Sequence, residues 1–160
     1  MKHSNKSYRP NVAAVIMSPS YPQICEFFIA RRVDLKRVWQ FPQGGIDEGE
    51  SPQSALLREL KEEIGTDNVE VISECPKWMY YDFPKGISRK MYPFDGQKQK
   101  YFLVRLKSID DINLSTLNPE FDRYKFISYE EIFRIIRHFK LRVYSKVLDH
   151  FKNEGFFIAI

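Results

Sequence analysis

Long apolar runs are missing from this 160-residue chain, and cysteine is nearly so. No stretch approaches the roughly 20 apolar residues that a membrane-spanning helix needs. The opening "MKHSNKSYRPN" has no apolar core of the kind a secretory leader carries, so no leader is expected. Cys25 and Cys75 stand apart, with no CxxC and no zinc-type spacing. Two isolated thiols suit a reducing cytosol and read as packing residues, which makes the expected location cytoplasmic. Internal repeats, linkers and low-complexity segments are absent as well. What remains is the composition of a soluble globular protein, 43% hydrophobic and 29% charged, long enough to bury a core as one domain over 1–160.

Net charge is +4, unevenly distributed. Between Phe41 and Gly65 there are six acids against two bases, and the rest of the chain carries 23 bases against 15 acids. Charge alone leaves two readings open: a cation site set in an anion-attracting body, or ordinary variation of surface charge.

"NVAAVIM" and "ICEFFIARR" read as buried strands, and "VWQFPQGG" as a short strand breaking into a loop at Pro and Gly. "SPQSALLRELKEEIG" is the clearest helix: Ser51 fits the N-cap, Pro52 the first turn and Gly65 the position just past the end. "NVEVISEC", "KWMYYDF" and "KQKYFLVRLK" read as strands, and "YEEIFRII" and "RVYSKVLDHFKN" as closing helices. This mixture predicts an α/β fold, an α/β/α sandwich around a mixed sheet.

On the first helix, Leu56, Leu57, Leu60 and Ile64 form an apolar stripe at about 100° per residue. Glu59, Glu62 and Glu63 fall together on the adjacent flank. Each close carboxylate pair repels by roughly 2–3 kcal/mol at an effective dielectric near 20. Solvent relieves that on an open surface; near a buried edge a proton or a cation must. Converging hard oxygens suit Mg²⁺ or Mn²⁺, and Glu50 could add a fourth carboxylate. A plain solvated acidic face, with Arg58 and Lys61 as neighbours, is the alternative for the helix by itself. The turn "GGIDEGE" feeding the helix favours the cation site, because Gly44 and Gly45 let backbone approach a ligand or metal with no Cβ in the way.

Gly44, five residues, Glu50, seven residues, then "RELKEEIG" resembles the Nudix box, here spanning 44–66. One departure is Thr66, where an aliphatic residue is usual. The resemblance implies a Nudix fold and metal-dependent hydrolysis of a nucleoside diphosphate linked to another group. It makes Glu59, Glu62 and Glu63 metal ligands, with Gly44 in the same metal site. Arg58 enters the catalytic set as the residue that fixes a glutamate.

Further stretches, "YRPNV", "WQFPQGGI", "DFPK", "GQKQKYFL", "PEFDRY" and "FKLRVYSKV", resemble the bacterial RNA 5′-pyrophosphohydrolase branch, also described as dinucleoside polyphosphate hydrolases. The likeness runs from Tyr8 to about Phe151. It implies removal of pyrophosphate from triphosphorylated RNA 5′ ends, which favours mRNA decay. By motif match, Arg9 would touch the 5′ phosphates or the nearby RNA backbone, and Arg32, Phe139 and Lys140 would hold a nucleobase. Tyr81 would line the same approach. Glu120 would be a further metal ligand or the catalytic base. Arg137 stands where a small apolar residue is expected. The segment from Lys85 to Lys107 adds seven bases, Arg89 among them, against one acid. Within it Lys98 and Lys100 share a strand face and could both meet phosphate, or be solvated edge lysines. Three functions are therefore carried forward: an RNA pyrophosphohydrolase, a diadenosine polyphosphate hydrolase, and a non-catalytic RNA-binding module on the same fold. No membrane is expected among the partners, and the sequence is mute on protein partners.

Overall fold

The computed structural model describes residues 5–88 and 90–158, so Arg89 lies outside the described residues. The strand Tyr8–Met17 (β1) organises everything else. Its run from Val12 to Met17 is apolar at every position, as befits a strand covered on both faces. Ala13, Val15 and Met17 join one core with Tyr144, Val147, Leu148 and Phe151 of the last helix, Leu141–Asn153. Val12, Ala14 and Ile16 join a second core with Leu56, Leu60 and Ile64 of the first helix, Pro52–Ile64 (α1). Alternation along a single strand thus yields the expected three-layer sandwich.

The sheet is mixed. In chain order after β1 come β2 (Phe27–Arg32), β3 (Trp39–Gln40), β4 (Gln43–Gly45), β5 (Val69–Glu74), β6 (Met79–Asp82), β7 (Gly96–Leu106) and β8 (Phe121–Ile127). β1 runs parallel to β7, from Tyr8 opposite Gly96 to Met17 opposite Arg105. The remaining pairings are antiparallel, β4 and β2 with β1, β3 and β8 with β2, and β5 and β6 with β7. Along its amino-terminal half β1 therefore lies between β4 and β7, and polar side chains replace the apolar run there. β8 is absent from the sequence reading. "FDRYKFI" buries only Phe121 and Ile127 and pairs only with β2, so it carries the charges of an edge strand. The short helix Lys85–Ser88 (α2) was also not anticipated.

The ends of α1 follow the expected chemistry. Ser51 accepts a hydrogen bond from the Ser54 N–H at 3.2 Å, Pro52 opens the first turn, and Gly65 closes the helix at φ 82°. The buried stripe is rotated from expectation: Ala55 is fully buried while Leu57 is half-buried. Glu63 falls within the buried face and is only 6% exposed. A Cβ on Gly65 would meet the Asn113 carbonyl oxygen at 2.5 Å and force a side chain into the left-handed region. Gly65→Ala is expected to destabilise the protein by about 1–2 kcal/mol or more, read as a lower midpoint in urea. An unchanged midpoint would mean that the helix end relaxes freely.

Candidate active site

At the amino-terminal half of β1 the sheet opens onto a cavity of about 670 Å³. Several segments build its walls. β1 contributes Arg9 and Asn11, β4 contributes Gln43, Gly44 and Gly45, α1 contributes Glu59, Glu62 and Glu63, the turn before β8 contributes Glu120, and the approach to the last helix contributes Phe139 and Lys140. Arg32 and Tyr81 complete it from β2 and β6. A smaller cavity of about 430 Å³ lies on the far side of the four carboxylates, which line both.

Arg58 orders the acidic wall. Its Nε and Nη2 each donate to Glu50 at 2.8 Å, Nη2 also reaches the Gly45 carbonyl at 2.8 Å, and Nη1 donates to Glu59 at 2.8 Å. This pairing holds the Glu50 carboxyl well below its usual range. Glu50 accordingly does not supply a fourth carboxylate, because Arg58 and the Asp47 N–H occupy its oxygens. Arg58 faces these acceptors and is not among the residues that line the cavity, so the guanidinium positions Glu59 and the Gly45 turn.

The glutamates differ by depth. Glu62 is exposed, Glu59 is half-buried, and burial raises the Glu59 carboxyl above its ordinary value despite Arg58. Burial pushes Glu63 up much further, with the charges of Glu59 and Glu120 adding to the effect. Its Oε1 is buried with no hydrogen-bond partner. An orphaned buried carboxylate oxygen among acids that raise one another's pKa fits a hard divalent cation. Among the described residues no three acidic, histidine or cysteine side chains close on a common point. Gly44 lies against this wall so tightly that an added Cβ would fall 1.9 Å from the Glu59 carboxyl carbon.

The opposite end is cationic and aromatic. Phe139, 40% exposed, meets Tyr81 edge-on at 5.3 Å between ring centres. Lys140 lies deeper than expected, 6% exposed, and reaches Gln40 at 3.4 Å. Burial first, and the charge of Arg32 second, push its ammonium down to about 8. Arg32 is gripped by Asp34, Nε to Oδ1 at 2.9 Å and Nη2 to Oδ2 at 2.7 Å.

Lys98 and Lys100 do share a strand face, but it is the face turned away from the cavity. They flank the Trp78 ring at 5.2 and 5.3 Å, and Lys100 also bonds the Pro76 carbonyl at 2.8 Å. In "GQKQK" the glutamines point inward. Gln99 donates to Asn11 at 2.8 Å and to Gln43 at 3.1 Å, while Tyr81 and Tyr101 donate to Gln97 and Gln99 at 3.0 and 2.8 Å. Buried amides can satisfy one another across strands and ammonium groups cannot, so the phase of the alternation is set by hydrogen bonding. Asn11 and Gln97 were missed as cavity residues. The signal available was a polar residue opening each of two apolar strands.

An acidic helix face under a glycine-bearing turn, opposite arginine and aromatics, is the equipment of a polyphosphate hydrolase. Residues 7–148 match the NUDIX domain, and the chain belongs to the Nudix family. Like its relatives it is a hydrolase of phosphoric anhydrides that needs a divalent metal ion. Proteins named RNA pyrophosphohydrolase are similar along almost their whole length. One from a Nitratiruptor species is 61% identical over 95% of this chain and 98% of its own. That of a Helicobacter pylori strain is 55% identical over the same shares. Among solved structures, the E. coli dihydroneopterin triphosphate pyrophosphohydrolase superposes with a TM-score of 0.69 at 20% identity, covering 86% of this chain and 94% of its own. A C. elegans Ap4A hydrolase complex gives 0.64 at 22%, covering 89% and 99%. These two likenesses speak to the fold. No helix among the described residues is long and apolar enough to cross a membrane.

Proposed function

We propose that this single-domain protein is a cytosolic, Mg²⁺-dependent RNA pyrophosphohydrolase, which removes pyrophosphate from the 5′-triphosphate end of RNA and leaves a 5′-monophosphate. The observation that carries this reading is one cavity joining the carboxylates Glu59, Glu62, Glu63 and Glu120 to Arg9 and to a recess of Arg32, Phe139 and Lys140. Phosphates need the first part and an unpaired base the second. Relatives at 55–61% identity named for this activity support the substrate class.

Once bound, a divalent ion would neutralise the polyphosphate and make a water more acidic. The four glutamates would hold it beside the Gly44 turn. Arg9, which forms no ion pair among the described residues and reaches across Gly45, would take the 5′ phosphates. Arg9→Ala should weaken RNA use, and the binding that remains should depend less on salt. Water attacks phosphorus, pyrophosphate leaves, and a glutamate of the set takes the water's proton. Phe139 and Arg32 hold the base, and Lys140 meets its edge from the cavity floor.

Release of pyrophosphate from triphosphorylated RNA, run beside a diadenosine polyphosphate with and without Mg²⁺, tests the reading. RNA is expected to be the better substrate, and only with Mg²⁺. Binding without turnover would indicate a silent RNA-binding module instead. Phe139→Ala should reduce kcat/KM on RNA by about one to two orders of magnitude, with a smaller loss on the dinucleotide and a preserved melting transition. Equal losses would point to a shared nucleoside pocket and remove the basis for an RNA preference.

A further inference from the structure

We propose that Asp34 commits the Arg32 guanidinium to a nucleobase and withholds it from phosphate, an assignment that rests on the RNA reading above. A guanidinium can meet RNA in two ways. Its fork of N–H groups grips a phosphate, or its flat face stacks on a base. In this cavity the Nε–Nη2 edge is already taken, since both nitrogens donate to the Asp34 carboxylate, at 2.9 and 2.7 Å. A phosphate would have to displace that carboxylate or approach the Nη1–Nη2 end of a guanidinium whose charge Asp34 already offsets. What Arg32 still presents is its face, Nη1 and one N–H of Nη2, in a cavity also lined by Phe139.

The local chain enforces this arrangement. Arg32 ends β2, where the register to β8 shifts between Arg31 and Arg32. The Arg32 N–H donates to Val38 at 3.0 Å and the Val33 N–H to Glu120 at 2.9 Å, so the backbone leading into Asp34 is held by two other segments of the chain. Arg31 has its own bidentate partner, Asp122, and lies outside the cavity. Arg9 supplies the contrast, an arginine on the same cavity with no ion pair among the described residues, available for phosphate. The division of labour between two arginines is thus decided by which of them has a carboxylate on its fork.

The test measures binding without divalent metal, using a 3′-fluorescein-labelled 5′-triphosphorylated oligoribonucleotide over a salt series, with inorganic tripolyphosphate as competitor. In the wild type the RNA should be preferred over tripolyphosphate because a base is held. Asp34→Ala should lower that preference about tenfold and steepen the plot of log Kd against log salt by about 0.7, the value of one further phosphate contact on a single strand. Asp34→Asn should behave similarly, and Asp34→Glu should restore part of the preference. Arg32→Ala should lose the preference without a steeper slope, and adding Asp34→Ala to it should change nothing more. Unchanged slope and preference in both Asp34→Ala and Asp34→Asn would overturn the proposal, as would an undiminished effect in the Arg32→Ala background. Wild-type protein that binds RNA preferentially but releases no pyrophosphate would overturn the activity and leave this assignment standing. Wild-type protein with no preference for RNA would overturn both.

Discussion

Glu59→Gln is expected to lower kcat on the order of 10³-fold at saturating Mg²⁺, because on the proposed assignment this carboxylate helps to hold the metal that supplies several kcal/mol of charge stabilisation at the reacting phosphorus. The amide keeps the volume and can still accept a hydrogen bond from Arg58, so the Gly45 and Glu50 contacts of that arginine should survive. Burial already disfavours the Glu59 charge in the folded protein, so neutralising it should not lower the melting temperature. The expected signature is a large loss of turnover with an intact melting transition, and near-normal turnover would refute the metal-site assignment. Glu63→Gln should be similarly severe for rate or metal demand, since the carboxylate is buried with an oxygen that no protein group satisfies.

Gly44→Ala makes the second large effect, by a steric route. The new Cβ would lie 1.9 Å from Glu59 Cδ and 2.0 Å from Oε2. These are the far end of a flexible side chain, so the carboxylate moves and the backbone does not. Stability should change little, while the displaced carboxylate should cost activity about as much as removing it, on the order of 10²–10³-fold. Higher Mg²⁺ should recover part of the loss, which separates a weakened metal site from a broken fold. Full activity in Gly44→Ala would mean that Glu59 works from a different position. Gly45→Ala offers a contrast, because its Cβ would strike the Arg9 guanidinium at 2.3 Å and should disturb substrate affinity before rate.

The sequence by itself determined the elements whose local chemistry is strong. The Ser51, Pro52 and Gly65 signals bound α1 to the residue, and the apolar run from Val12 to Met17 demanded a strand covered on both faces. The rigid spacing from Gly44 to Gly65 was enough to group Glu59, Glu62 and Glu63, which line one cavity. These features are legible because each depends on neighbours within a few turns of the chain. What depended on distant partners was not. Lys98 and Lys100 looked like phosphate contacts because alternation has two phases. Asn11, Gln43 and Tyr81, from three other places in the chain, selected the phase that buries the glutamines. β8 was invisible because an edge strand need bury little, yet its register places Glu120 beside Glu63. Local patterning can say which residue types are present and which face they share. Only tertiary packing decides which charge meets which partner, because the low dielectric that makes those pairings decisive exists only after the layers have closed.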